Sequence, residues 1–170
     1  MKIVIAVTGS VAAVRVPELI RELVRRGHDV ECAMSGAAQG IIHPDVLHWA
    51  SGKPVISEIT GAVEHVRLCG IGGQADVLAI VPSTANTISK IAHGIDDTCV
   101  TTMASTALGS KTPIVLVPAM HQSMYENPFV AANIKALQEA GIKIVDPKLT
   151  ENKAKIADEA DIIAAIEGCG

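Results

Sequence analysis

The residues best suited to chemistry gather where apolar runs of this sequence end. Pro82-Ser83-Thr84-Ala85-Asn86-Thr87 follows directly on Val77-Leu78-Ala79-Ile80-Val81, so a buried strand gives way to a turn of small, hydroxyl- and amide-bearing residues that opens a helix. At the carboxyl edge of a parallel sheet such a turn lies where open α/β folds bind ligands, and the free N–H groups of the helix start favour an anion. Three more runs end alike: residues 2–7 at Thr8-Gly9-Ser10, residues 29–34 at Ser35-Gly36, and residues 113–117 at Pro118-Ala119-Met120-His121-Gln122-Ser123-Met124-Tyr125. In one parallel sheet these four exits share an edge. The groups on offer there are imidazoles at His65 and His121, the Asn86 amide, hydroxyls and thioethers. With no metal cluster and no nucleophile triad, an organic cofactor has to carry the reaction.

Several alternatives are excluded by spacing. A dinucleotide fingerprint needs three glycines at fixed offsets, whereas Val11, Ala12 and Ala13 follow the lone Gly9, so NAD in its usual mode is not expected. On this stretch alone, Gly9-Ser10 reads equally as an ordinary βα turn or as a phosphate contact. Cys32, Cys69, Cys99 and Cys169 form no C-x-x-C pair and read as reduced, buried or incidental thiols. Trp49, Tyr125 and Phe129 are the only aromatic residues, so a planar cofactor must be held by aliphatic and Met side chains, backbone and amides. His65 alone reads either as a general base or as a hydrogen-bonded structural histidine.

The elements that position these groups follow from periodicity. Residues 2–7 form a nearly continuous apolar run, as expected of a strand buried on both faces. Val16, Leu19, Ile20, Leu23 and Val24 recur at helical spacing, with Gly27 as the stop and Pro17 either starting or bending the helix. A short helix is expected from Pro44 through Trp49, an irregular stretch over 51–63, and a short extended segment over 64–68 in which His65 and Arg67 share a face. A helix through Ile88 and Ile91 closes at Gly94, and Asp97 is expected to cap another over 98–108 that stops at Gly109. Asn127-Pro128 reads as the start of a helix carrying Val130, Ile134 and Leu137. Lys143-Ile144-Val145 is a last strand, and residues 151–155 are a polar link to a C-terminal helix around 158–167. Alternating strands and helices predict an α/β, Rossmann-like, doubly wound parallel sheet in three αβα layers, one domain over residues 1–170.

At 170 residues and 49% apolar composition, the chain has material for one sizeable core. Net charge −4 and a pI near 5.8 without blocks of like charge argue against nucleic acid or a membrane surface as partner and for a small-molecule ligand. No run approaches the ~20 apolar residues of a membrane span, and no signal peptide precedes the first strand, so a soluble, cytoplasmic protein is expected.

Residues 82–87 resemble the P-A-S-A-N-T motif, and residues 118–125 the P-x-M-N-x-x-M-W motif, of the homo-oligomeric flavin-containing cysteine decarboxylases (HFCD). Within them the chain is similar to the archaeal type of phosphopantothenoylcysteine decarboxylase domain, over essentially its whole length. The resemblance implies an FMN-binding flavoprotein of coenzyme A biosynthesis, a lyase assembled as a homo-oligomer of trimers, often four of them (a dodecamer), with FMN between protomers. It implies that Gly9, Ser10 and Ser35 hold the FMN phosphate and ribityl chain, that Asn86 with Ser83, Thr84, Ala85 and Thr87 contacts the ring, and that Thr101, Thr102 and Met103 complete the pocket. His65 aligns with the catalytic histidine; His121 stands where the motif has the Asn that binds the substrate carboxylate, with Met120, Met124 and Tyr125 beside it. The implied reaction oxidises a cysteinyl substrate at its thiol-bearing carbon, releases carbon dioxide from the thioaldehyde and returns the hydride. No metal is implied. The Cys of the family's substrate clamp is absent, since residues 151–155 occupy that region and Cys169 is no positional match. An FMN-dependent oxidoreductase such as a quinone reductase, a flavin prenyltransferase and a non-enzymatic flavin carrier stay open beside decarboxylation.

Overall fold

The computed structural model describes residues 1–150 and 153–170. In chain order the elements are β1 (Lys2–Val7), a 3₁₀ turn (Val11–Arg15), α1 (Val16–Arg25), β2 (Asp29–Met34), α2 (Gly36–Gln39), α3 (Pro44–Ser51), α4 (Glu64–Cys69), β3 (Val77–Ser83), α5 (Ala85–Ala92), α6 (Cys99–Ser110), β4 (Ile114–Pro118), β5 (Met120–His121), α7 (Gln122–Tyr125), α8 (Pro128–Glu139), β6 (Lys143–Ile144), β7 (Lys148–Thr150), β8 (Lys153–Lys155) and α9 (Glu159–Glu167). Five strands pair in the order β2-β1-β3-β4-β6, and every pairing in that sheet is parallel. The order reverses at β1 and β3, which is the doubly wound arrangement, and it places the switch point between their carboxyl ends.

Burial on both faces accounts for the unbroken apolar strands. Ile3, Ile5, Val7, Val77, Ala79 and Val81 face one core with α1, α3 and α9, while Val4, Ala6, Leu78 and Ile80 face the other with α4, α5, α6 and α8. The helix stripe read from the sequence is the buried face of α1, where Val16, Leu19, Ile20 and Leu23 are at most 3% exposed. Pro17 starts that helix within its first turn, and Gly27 follows its end at φ +86°. The buried thiols sit in this core: burial pushes Cys32 and Cys69 up to about 12 and Cys99 to about 11.

Four local expectations are corrected. Residues 64–69 are helical, so His65 and Arg67 lie on different sides of α4 rather than sharing a face. Thr98, not Asp97, caps α6: its hydroxyl accepts from the Thr101 N–H, and Thr101 Oγ1 accepts from the Thr98 N–H, a reciprocal capping box. Gly109 lies inside α6, which ends at Lys111 in the left-handed region (φ +65°). Finally, the exit after β4 carries β5, the expected polar link carries β8, and the residues just before that link carry β7; the three form a separate antiparallel sheet in the order β5-β8-β7. Glu151 and Asn152 of that link lie outside the described residues.

Candidate functional site

Three helix starts meet beside the switch point. Ser35, Thr84 and Thr98 each occupy the N-cap of α2, α5 and α6, and each hydroxyl accepts a backbone N–H of its own first turn. All three residues line one cleft of about 520 Å³, together with Gly9, Gly36, Ala37, Ala85, Asn86, Thr87, Lys90, Thr101 and Met124. Cap hydroxyls and the remaining N–H groups of three converging helix starts make the wall a set of neutral donors with positive dipole ends. Such a wall suits an anion or a ring edge rich in acceptors.

The cleft is held in register by Thr8, which sequence pattern alone marks only as a strand end. Its buried hydroxyl donates to the Pro82 carbonyl at 2.8 Å and accepts from the Thr84 N–H at 3.1 Å, so the exits of β1 and β3 are tied through one side chain. A Thr directly before a Gly at a strand end is the signal that could have shown this role. Gly9 lets α2 approach the β1 exit: a Cβ on Gly9 would lie 2.7 Å from Ala37 Cβ. Asn86 is exposed and its amide makes no hydrogen bond among the described residues, while Ala85 and Thr87 are buried at the cleft wall.

Of the residues singled out from the sequence, Gly9, Ser35, Thr84, Ala85, Asn86, Thr87, Thr101 and Met124 therefore come together. Ser10 stands just outside as the N-cap of the 3₁₀ turn, accepting from Ala12 N. Ser83 is fully buried, and its hydroxyl has no hydrogen-bond partner among the described residues. Thr102 lines a neighbouring cavity of about 540 Å³ and donates to the Asp96 carbonyl. Met103 is fully buried in the core among the α6 side chains, because its position on that helix faces the sheet.

The two imidazoles do not line the cleft of their own chain. His65 is half-buried on α4, on the side of Leu68 and Cys69, and its Nδ1 is buried without a partner among the described residues. The residue before the helix, Val63, has a left-handed backbone (φ 47°), and Glu64 closes the preceding turn by accepting from the Thr60 N–H and hydroxyl. Those bonds hold Glu64 down at about 2. His121 is exposed at the start of α7, its Nδ1 2.9 Å from Ser123 Oγ. Met120 packs against the core, and Tyr125 reaches across to Asp146, with Oη 3.1 Å from the carboxylate. Burial and the Asp146 charge push the Tyr125 phenol up to about 12, so it stays a donor at neutral pH. Arg67 is not available to the cleft: both its terminal nitrogens contact the Glu31 carboxylate, at 2.7 and 3.3 Å.

Sequence reasoning missed Lys90. It stands three and four positions after Thr87 and Asn86 on α5, a spacing that puts it on the same helix face, and it is the one charged residue among those lining the cleft. Among the described residues no group of His, Cys, Asp and Glu is arranged to hold a metal ion.

Comparison with known proteins gives a consistent picture. The family model described as Flavoprotein matches residues 1–169. The chain is 49% identical over 163 residues to the coenzyme A biosynthesis bifunctional protein CoaBC of Thermococcus kodakarensis, an overlap of 95% of this chain and 40% of that protein. It is 37% identical over 152 residues to a probable phosphopantothenoylcysteine decarboxylase of Streptococcus mutans, covering 86% of this chain and 83% of the relative. The chain thus spans about two fifths of the length of the bifunctional relatives it matches. Among solved structures, the peptidyl-cysteine decarboxylase EpiD superposes with a TM-score of 0.85 at 26% identity over 98% of both chains. An FMN-dependent cysteine decarboxylase, SpaF, does so with a TM-score of 0.80 at 29% identity over 97% of both.

Proposed function

The chain belongs to the Flavoprotein family, and from that premise we propose that it is an FMN-dependent decarboxylase of 4′-phosphopantothenoylcysteine or a similar cysteinyl carboxylate. The observation that carries this reading is the single cleft built from the exits of β1, β2 and β3 together with Met124 from the β4 exit. It offers hydrogen-bond donors, an amide and one ammonium, but no nucleophile–base pair, so the reaction needs an organic cofactor.

The residues present fit such a cofactor. At about 520 Å³ the cleft has the size of a small-molecule site. The absent Cβ of Gly9 lets Ala37 and the Ser35 cap of α2 close on the β1 exit, and the exposed Asn86 amide at the cleft wall has no hydrogen-bond partner among the described residues, leaving its donors and acceptor for a bound group. In this reading Gly9, Ser10 and Ser35 hold the phosphate and ribityl chain, and Asn86, whose amide both donates and accepts, reads the ring edge with its neighbours in residues 83–87 and with Thr101. FMN supplies the two-electron oxidation and reduction that make loss of carbon dioxide feasible.

The chain's own residues do the rest. His65 serves as the proton acceptor and donor at the substrate, its buried Nδ1 having no hydrogen-bond partner among the described residues. His121 receives the substrate carboxylate, and in its protonated form makes a charge-assisted bond. Met120, Met124 and Tyr125 flank the substrate. We assign these roles across copies of the chain, in a homo-oligomer of trimers with FMN at the interface. Two facts support that assembly: neither imidazole lines its own cleft, and Met124 and Phe129 are 48% and 80% exposed nearby in the chain. A cytoplasmic role in coenzyme A biosynthesis accords with the relatives and with the lack of any helix long and apolar enough to cross a membrane among the described residues.

One observation favours a second reading, an FMN oxidoreductase such as a quinone reductase: Cys169, the thiol nearest the chain end, is tucked against α9 and donates to the Ala165 carbonyl rather than facing the cleft. Arg67 engaged with Glu31 weighs against a prenyltransferase. Two measurements separate these. Purified protein titrated with FMN should quench its fluorescence and gain bound-flavin absorbance, and NAD(P)H-driven quinone reduction by the loaded protein should be negligible beside turnover of the cysteinyl substrate. Failure to bind FMN would remove every flavin reading, and rapid quinone reduction without decarboxylation would select the second.

A further inference from the structure

Lys90 and Asp97 stand on the wall between two cavities. Lys90 lines the cleft described above, while Asp97 lines the neighbouring cavity with Glu58 and Asp96; Gly36 and Thr98 line both. The Lys90 ammonium lies 2.6 Å from the Asp97 carboxylate. The carboxylate is half exposed and the Lys90 side chain is 24% exposed, so the pair is accessible to water and adds little to the stability of the fold. Breaking it costs correspondingly little.

The cleft itself contains no carboxylate. Its walls present the starts of α5 and α6 and the Lys90 ammonium, and among the described residues the carboxylate paired with that ammonium sits on the other side of the wall. An anion entering the cleft thus meets fixed neutral donors and one movable cation whose present partner holds it weakly. A flavin mononucleotide has one strongly anionic part at neutral pH, since a phosphate monoester carries nearly two negative charges and the oxidised ring system is neutral.

We propose that Lys90 is the counter-charge for the cofactor's phosphate, and that Asp97 holds the ammonium while the cleft is empty and yields it when the phosphate enters. This rests on the FMN reading above. The proposal makes the two members of one ion pair act in opposite directions: Lys90 favours FMN, and Asp97 competes with it. A structural strut would make both substitutions act alike.

The test is a fluorescence titration of the cofactor-free full chain with FMN and, separately, with riboflavin, for the wild type, Lys90→Met, Lys90→Arg and Asp97→Asn. Loss of a charge-assisted bond should weaken FMN binding by Lys90→Met about tenfold or more, with riboflavin affinity little changed. Lys90→Arg should retain the preference for FMN, and Asp97→Asn should tighten FMN binding. Thermal melts establish that each variant is folded. Equal losses for FMN and riboflavin in Lys90→Met, or weaker FMN binding in Asp97→Asn, would overturn the proposal while leaving the cofactor assignment intact. A wild type that binds neither flavin would overturn both.

Discussion

Gly9 and Ala37 touch so closely that a single methyl group cannot be added between them: a Cβ on Gly9 would lie 2.7 Å from Ala37 Cβ and 3.3 Å from the Ala37 carbonyl carbon. The constraint is one of space, since Gly9 does not have a positive φ. It fixes how near α2, and with it the Ser35 cap, comes to the exit of β1. Gly9→Ala should push α2 outward at a cost of about 1–3 kcal/mol and sharply reduce FMN affinity. A thermal melt with a flavin titration checks both effects; unchanged FMN affinity would remove Gly9 from the site.

Thr8 links the two central exits through a pair of hydrogen bonds that a Val of similar shape cannot make. Thr8→Val should leave the Thr84 N–H without its acceptor, while the Pro82 carbonyl keeps the Thr8 backbone N–H, and lower stability by roughly 1–3 kcal/mol. Chemical denaturation measures this. FMN affinity should fall with it, since the Thr84 cap loses its anchor.

Much of this architecture was legible in the sequence because buried strands and amphipathic helices carry long, clean patterns, as in residues 2–7 and 16–24. The failures fall where elements are short or choices adjacent. Glu64–Cys69 spans under two turns, and its alternation of polar and apolar residues at His65-Val66-Arg67-Leu68 imitates a strand. Asp97 and Thr98 are both good caps, and only the structure shows that Asp97 is drawn to Lys90 while Thr98 pairs with Thr101. The two- and three-residue strands β5, β7 and β8 are too short to show a period. At the site, the four exits announced themselves by residue type and Lys90 was legible from its helical spacing to Asn86 and Thr87, whereas Thr8 contributes through a contact between segments 76 residues apart that no local pattern encodes.

Glu31 should govern part of the acid stability. Burial raises its pKa, but hydrogen bonds from Arg67 and Lys2 outweigh that and hold it below the usual value of 4.5. A depressed carboxylate contributes stability that is present above the unfolded value and lost as pH falls through the folded one. Melting temperatures taken downward from roughly pH 5 should therefore fall more steeply for the wild type than for Glu31→Gln, which should be less stable at neutral pH. Parallel profiles would contradict this.

His65→Asn should keep the fold and the flavin while losing about a hundredfold or more in turnover, the usual scale for removing a general acid–base. Bound-flavin absorbance and initial rates on the same preparation separate the two. Unaltered turnover would assign His65 a structural role only.

The most direct measurement is carbon dioxide release from 4′-phosphopantothenoylcysteine by the FMN-loaded protein under anaerobic conditions, with the thiol product followed by mass spectrometry. Carbon dioxide and decarboxylated thiol should appear in equal amounts over many turnovers, without an external electron donor. A flavin-loaded protein that releases no carbon dioxide from that substrate or from a shorter cysteinyl carboxylate would contradict it.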